Sequence, residues 1–226
     1  MSVATASFGS GGAEPYASAL RRSDSNLLYL RDARGGTRAR AIEMDVSKWN
    51  ADADSADLSL LMSVTGPVLD IGCGPGRMVR AARDLGLLAV GIDVSATAVE
   101  VASRLGGTFI QGSVFDTVPR EGHWQTALLV DGNVGIGGDV SALLARCGDL
   151  VSATGEIVVE LDHDPTHEDQ FTAQVVDQAG LSSATFPWAE IGLDRLAKRL
   201  PALGMRLVQS WEIDGRNFCR LAKIAR

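Results

Sequence analysis

Val68-Leu69-Asp70-Ile71-Gly72-Cys73-Gly74-Pro75-Gly76 reads as a short strand running into a glycine loop. Val68 to Ile71 is the continuous apolar run expected of a parallel strand buried on both faces, with Asp70 as its one acid. The glycines, lacking Cβ atoms, let the chain turn sharply and bring its backbone close to a ligand. A helix is predicted near Arg77 to Leu85, with Met78, Val79, Ala82 and Leu85 towards the sheet and Gly86 past its end. Such a loop lies at the carboxyl end of its strand, where open α/β sheets bind ligands.

Downstream the rhythm of strand, loop and helix repeats. Leu87 to Ile92 is a second strand ending at Asp93, and Ser95 caps a helix carrying Ala98, Val99, Ala102 and Leu105. Thr108–Gln111, Thr126–Val130 and Glu156–Leu161 are predicted strands three to five. Asp139 starts the helix between the last two, with Val140, Leu143, Leu144, Cys147 and Val151 on one face. This alternation specifies a mainly parallel α/β sheet with helices on both faces. Leu193 to Leu200 suggests a helix that Pro201 ends or kinks. Met205–Ile213 and Arg216–Ile224 flank Asp214-Gly215, a hairpin signal that closes the sheet with an antiparallel pair. Residues 163–189 read as an irregular insert with one or two short extra strands.

Upstream lie an expected flexible tail, 1–15, and an N-terminal helical or cap segment, 16–63, ahead of the main domain at 64–226. Arg21, Arg22, Arg31, Arg34, Arg38 and Arg40 form one charge block; Glu43, Asp45, Asp52, Asp54 and Asp57 form another. These read as solvated faces, or as a lid attracting an acidic substrate. The chain has 226 residues and a net charge of −7, which argues against a general nucleic-acid binder. Cys73, Cys147 and Cys219 fit neither a disulfide frame nor a zinc site and read as reduced thiols. With no apolar run of membrane length and no signal-peptide core, the expected location is cytoplasmic.

The glycine spacing discriminates between ligands. It is G-x-G-x-G; Arg77 stands where the third glycine of a dinucleotide loop would be, and no Gly-Lys-Ser/Thr follows. A nucleotide-dependent oxidoreductase is therefore disfavoured. Asp93, 17 residues beyond Gly76, is placed to accept hydrogen bonds from ribose hydroxyls, with Val94 against a base. In this order and spacing, residues 68–161 resemble the class I S-adenosylmethionine-dependent methyltransferases. The resemblance places the E/D-x-G-x-G-x-G motif on Asp70, Gly72, Cys73, Gly74 and Gly76, and the acidic end of strand two on Asp93. A third motif falls on Gln111-Gly112-Ser113-Val114-Phe115, where Ser113 replaces a frequent Asp, so that Ser113 and Val114 become the adenine contacts. It implies a Rossmann-like seven-stranded sheet of order 3-2-1-4-5-7-6 with strand 7 antiparallel. The cofactor implied is S-adenosylmethionine, whose amino group suits the carboxylate of Asp70.

The acceptor is less defined. Asp131-Gly132-Asn133 falls on the family's fourth motif without its Asn/Asp-Pro-Pro-aromatic form, which lowers nucleic-acid base methylation. Asp131 is a candidate for both cofactor contact and general base, His163 a second base, and Asn133, Trp188 and Tyr16 candidate substrate contacts. Phe186 and Trp49 are further pocket candidates. His163 and His167 lie among Asp162, Asp164, Glu168 and Asp169, but Pro165 breaks their spacing, and no metal is expected. The resemblance and the acidic balance point to methylation of an oxygen, nitrogen or carbon on a small molecule. The alternatives are a cofactor-binding protein without turnover and, further off, an RNA methyltransferase guided by the N-terminal arginines; oligomeric state stays open.

Overall fold

The computed structural model describes residues 6–11, 14–22, 27–35 and 41–224. In chain order, α1 (Pro15–Arg21), β1 (Leu27–Asp32), β2 (Ala41–Asp45), α2 (Val46–Asn50) and α3 (Ser55–Met62) precede the core. The core then runs β3 (Val68–Ile71), α4 (Arg77–Asp84), β4 (Ala89–Asp93), α5 (Ala96–Arg104), β5 (Thr108–Gln111), β6 (Trp124–Leu129), α6 (Val140–Leu150) and β7 (Val151–Leu161). The chain ends with β8 (Glu168–Asp177), β9 (Phe186–Ile191), α7 (Leu193–Arg199), β10 (Met205–Ile213) and β11 (Arg216–Lys223). Among the described residues, no helix is long and apolar enough to cross a membrane.

The large sheet has the order β5-β4-β3-β6-β7-β11-β10. Counted along the chain, its strands run 3-2-1-4-5-7-6, and β11 is antiparallel to β7, as expected. Alternation within each buried strand feeds two layers. Leu69, Ala127, Leu129, Ile157 and Val159 pack with Leu143, Leu144 and Cys147 of α6 on one face. Val68, Leu128 and Val158 pack with Leu60 and Leu61 of α3 and Met78 and Val79 of α4 on the other. The turn at Asp214-Gly215 has positive φ at both residues, 52° and 74°, which matches the right-handed twist of the hairpin strands.

Three expectations need correction. Leu85 and Leu105, read as core-facing, are half exposed because each is the C-cap residue, where the chain leaves the sheet. Residues 163–189 hold two extra strands, as expected, but they are not short: β8 has ten residues and β9, six residues long, runs on to Ile191. The N-terminal segment also contributes strands, not helices alone: β1 and β2 join β8 and β9 in a second, wholly antiparallel sheet, β2-β1-β8-β9. Its central register pairs Leu30 with Val175. Leu28, Leu30, Phe171, Ala173 and Val175 bury its inner face against α1. Of the expected tail, residues 6–8 line a cavity beneath this sheet. Of the N-terminal charge block, Arg38 and Arg40 lie outside the described residues.

Candidate functional site

The glycine loop takes left-handed conformations that only glycine adopts without strain: φ is 72° at Gly72, 51° at Gly74 and 82° at Gly76. Gly76 N-caps α4, and a Cβ there would stand 2.6 Å from the Phe109 ring. Gly76 thus shapes the loop from beneath and is not among the residues lining the cavity. Asp93 straps the loop to β4: its carboxylate accepts the Gly74 N–H at 2.8 Å and the Ser95 N–H at 2.8 Å. Burial pushes the Asp93 carboxyl up to about 6, against the two backbone hydrogen bonds.

The loop borders a cavity of about 480 Å³, within the range of small-molecule sites. Asp70, Gly72, Cys73, Gly74, Asp93, Val94, Ser113, Val114, Asp131, Asn133, Tyr16 and Trp188 all line it. Asp70 is the group most in need of a ligand. It is 2 % exposed, and neither carboxylate oxygen has a hydrogen-bond partner among the described residues. Burial, reinforced by Asp131 and Asp93, pushes its carboxyl up to about 8. A buried carboxylate with nothing to satisfy it costs several kcal/mol by the usual order of magnitude, and a cation in the cavity would relieve that cost. This donor set fits the amino group and ribose of S-adenosylmethionine. The Cys73 thiol, by contrast, is held protonated by burial and packs against Gly91.

The two candidates after β6 are structurally engaged. Asn133 donates its side-chain N–H groups to the carbonyls of Ile71 and Gly72 at 2.9 and 3.0 Å, so it ties two ligand loops together. Asp131 has φ 55° and pairs with Arg77 and, at 3.3 Å, with Arg216. Arg77, which the sequence reading used only as a missing glycine, is 4 % exposed and also pairs with the buried Asp57 of α3. Arg216 reaches Asp57 and Glu160, each at 2.8 Å. Asp57 belongs to an acidic block read as solvated; in the structure it is fully buried and anchors this network. Five charged side chains from α3, α4, β7, β11 and the turn after β6 therefore meet at the cavity, with Arg77 and Asp131 in its lining.

The opposite wall is aromatic. Phe8, Tyr16, Trp49 and Trp188 line the cavity, with Phe186 behind them. Ring centroids lie 4.8 Å apart for Phe8–Tyr16, 5.8 Å for Phe8–Trp188 and 5.8 Å for Tyr16–Trp49. Glycines let this wall approach: a Cβ on Gly135 would lie 2.3 Å from the Ala189 carbonyl oxygen and 2.6 Å from the Trp188 ring. The glycine-rich stretch after β6 thus seats β9 of the second sheet. Phe8, Met44 and Ile136, which the sequence reading did not single out, complete the lining.

His163 is misplaced by the sequence reading. Its side chain is 76 % exposed, it pairs with Asp162 at 3.2 Å, and it does not line the cavity. The turn Asp162–Thr166, closed by the Asp162 and Asp164 side chains, carries it outward. His167 instead meets Glu190 at 2.8 Å, and Asp162, His167 and Glu190 bring one ligand atom each within 4.8 Å of one another. That trio could hold a metal ion, away from the residues lining the cavity.

Comparison with known proteins agrees with this architecture. Residues 68–155 match the model of the family described as "Methyltransferase domain". No curated protein matches the chain. A Bacteroides fragilis S-adenosylmethionine-dependent methyltransferase solved with S-adenosylhomocysteine is similar over 94% of this chain and 95% of its own, with 19% identity and a TM-score of 0.74. The CcbJ methyltransferase of Streptomyces caelestis is similar over 78% and 92%, with 14% identity and a TM-score of 0.61. The Burkholderia thailandensis 1,6-didemethyltoxoflavin-N1-methyltransferase is similar over 80% and 82%, with 18% identity and a TM-score of 0.57.

Proposed function

We propose that this chain is a class I S-adenosylmethionine-dependent methyltransferase and that it methylates a small molecule held between the glycine loop and the aromatic wall. The observation that carries the reading is the partnerless buried carboxylate of Asp70, facing the same cavity as Tyr16, Trp49 and Trp188. The 1,6-didemethyltoxoflavin-N1-methyltransferase similar to this chain was solved with bound 1,6-didemethyltoxoflavin, which supports a small-molecule acceptor.

When bound, the cofactor supplies an activated methyl group on a sulfonium. The chain's part is binding, alignment and exclusion of water. Asp70 holds the ammonium group; Gly72, Cys73 and Gly74 bring backbone to the amino-acid end; Asp93 accepts from the ribose hydroxyls. Val94, Ser113 and Val114 take the adenine. Asp131, pinned by Arg77 and Arg216, orients the turn after β6 and shapes the floor, and Asn133 holds that turn against the glycine loop. The aromatic wall and residues 6–8 line the side of the cavity away from the glycine loop.

Calorimetric titration with S-adenosylhomocysteine tests the reading. Micromolar or tighter binding is expected, weakened at least tenfold in Asp93→Ala. Unchanged affinity in that variant would remove the assignment.

A further inference from the structure

Resting on the methyltransferase reading above, we propose that the acceptor is a neutral amine on an apolar or aromatic body, methylated beneath the ring wall of Phe8, Tyr16, Trp49 and Trp188.

Oxygen and carbon acceptors ordinarily enter protonated and need a base within hydrogen-bond reach. The cavity's acids are already committed. Asp131 is paired with Arg77 and Arg216, and Asp93 accepts two backbone N–H groups. Asp70 lies at the end of β3 beside the glycine loop, where the cofactor's ammonium group needs it. No histidine or lysine stands among the described lining residues, and the Tyr16 phenol is held protonated by burial and by nearby Asp93. An acceptor arriving as an anion meets Asp70, Asp93 and Asp131, while the one guanidinium among the described lining residues, that of Arg77, is paired. A neutral amine needs no base and suffers no such repulsion.

The charge then goes where the wall can hold it. The nitrogen lone pair forms the N–C bond, the S–C bond breaks, and its electron pair stays on sulfur as a thioether. The positive charge passes to nitrogen, and the ammonium proton leaves to water with the product. Tyr and Trp faces attract an organic ammonium, most strongly when it is desolvated.

The test uses the full chain saturated with S-adenosylhomocysteine, titrated by ligand-observed NMR with phenyltrimethylammonium and with its uncharged isostere tert-butylbenzene. At least tenfold tighter binding of the cation is expected. Trp49→Leu should weaken the cation at least fivefold and the hydrocarbon less; Trp188→Leu provides a second variant should the first fail to fold. Equal or tighter binding of the hydrocarbon, or no binding of either probe to the loaded protein, overturns the amine assignment. Failure of S-adenosylhomocysteine itself to bind overturns the reading beneath it, and the two failures are distinguishable in one titration series.

Discussion

Asn133 and Gly72 interlock: the carboxamide donates to the Gly72 carbonyl at 3.0 Å and its Cγ fills the space, 2.8 Å away, that a β-carbon on residue 72 would occupy. Gly72→Ala therefore meets both a left-handed φ of 72° and a collision, and is expected to cost about 2–4 kcal/mol. Asn133→Ala should cost about 1–2 kcal/mol through the lost hydrogen bonds. In the double variant the collision disappears while the backbone strain stays, so the combined loss should fall short of the sum by about 1 kcal/mol. Urea denaturation of the four proteins measures this; strict additivity would contradict the interlock.

Asp70 sets stability against binding. Its carboxyl sits at about 8 in the folded protein against an ordinary 3.8, so its stabilising contribution is complete below the lower value and lost as pH rises through the higher. Asp70→Asn cannot ionise and escapes that loss. At pH 8 the ligand-free variant should melt roughly 5 °C above the parent, with the gap closing near pH 4. The same variant should bind S-adenosylhomocysteine roughly 10–100-fold more weakly. A lower Tm at pH 8 would show that Asp70 is satisfied in the free protein.

Cofactor binding should be linked to proton release. With Asp70 largely protonated below about 8, an incoming ammonium group must displace that proton. Affinity for S-adenosylhomocysteine is expected to rise by up to about tenfold per pH unit between pH 6 and 8 and then to level. Calorimetry at pH 7 in buffers of different ionisation enthalpy should register close to one proton released. A flat profile with no buffer dependence would sink the assignment of Asp70 to the ammonium group.

The Asp57–Arg77–Asp131 chain is a second pressure point. Arg77→Met leaves Asp57, Asp131 and Glu160 to share Arg216 and should cost about 3–5 kcal/mol, since one guanidinium then faces three carboxylates in a buried network. Adding Asp57→Leu removes one of the surplus acids and should restore a substantial part of the loss. Denaturation midpoints decide it; a double variant no better than Arg77→Met would show that the network does not act as a pair.

His163→Ala should leave S-adenosylhomocysteine affinity and turnover within about twofold of the parent, because the ring is out of hydrogen-bond reach of the cavity. A tenfold loss of turnover would return His163 to the site.

The core was legible because its determinants are local. Each strand from β3 to β7 carries its own apolar run, each helix its own cap at Gly76, Ser95 or Asp139, and the final hairpin its own Asp214-Gly215 turn. The glycine loop and Asp93 lie within one β-α-β unit, so their spacing alone placed them at one switch point. What the sequence left open depends on distant partners. β1 and β8 pair Leu30 with Val175, and no local pattern announces a partner so far along the chain. The same distance hid the meeting of Asp57, Arg77, Asp131 and Arg216: the sequence placed Asp57 in a solvated acidic block and Asp131 at the cavity mouth, with nothing to pair either of them with an arginine. Local hydrophobic period and turn chemistry determined the glycine-loop half of the cavity. The aromatic half exists only once two remote segments close into one sheet, because burial and charge pairing are properties of neighbours in space.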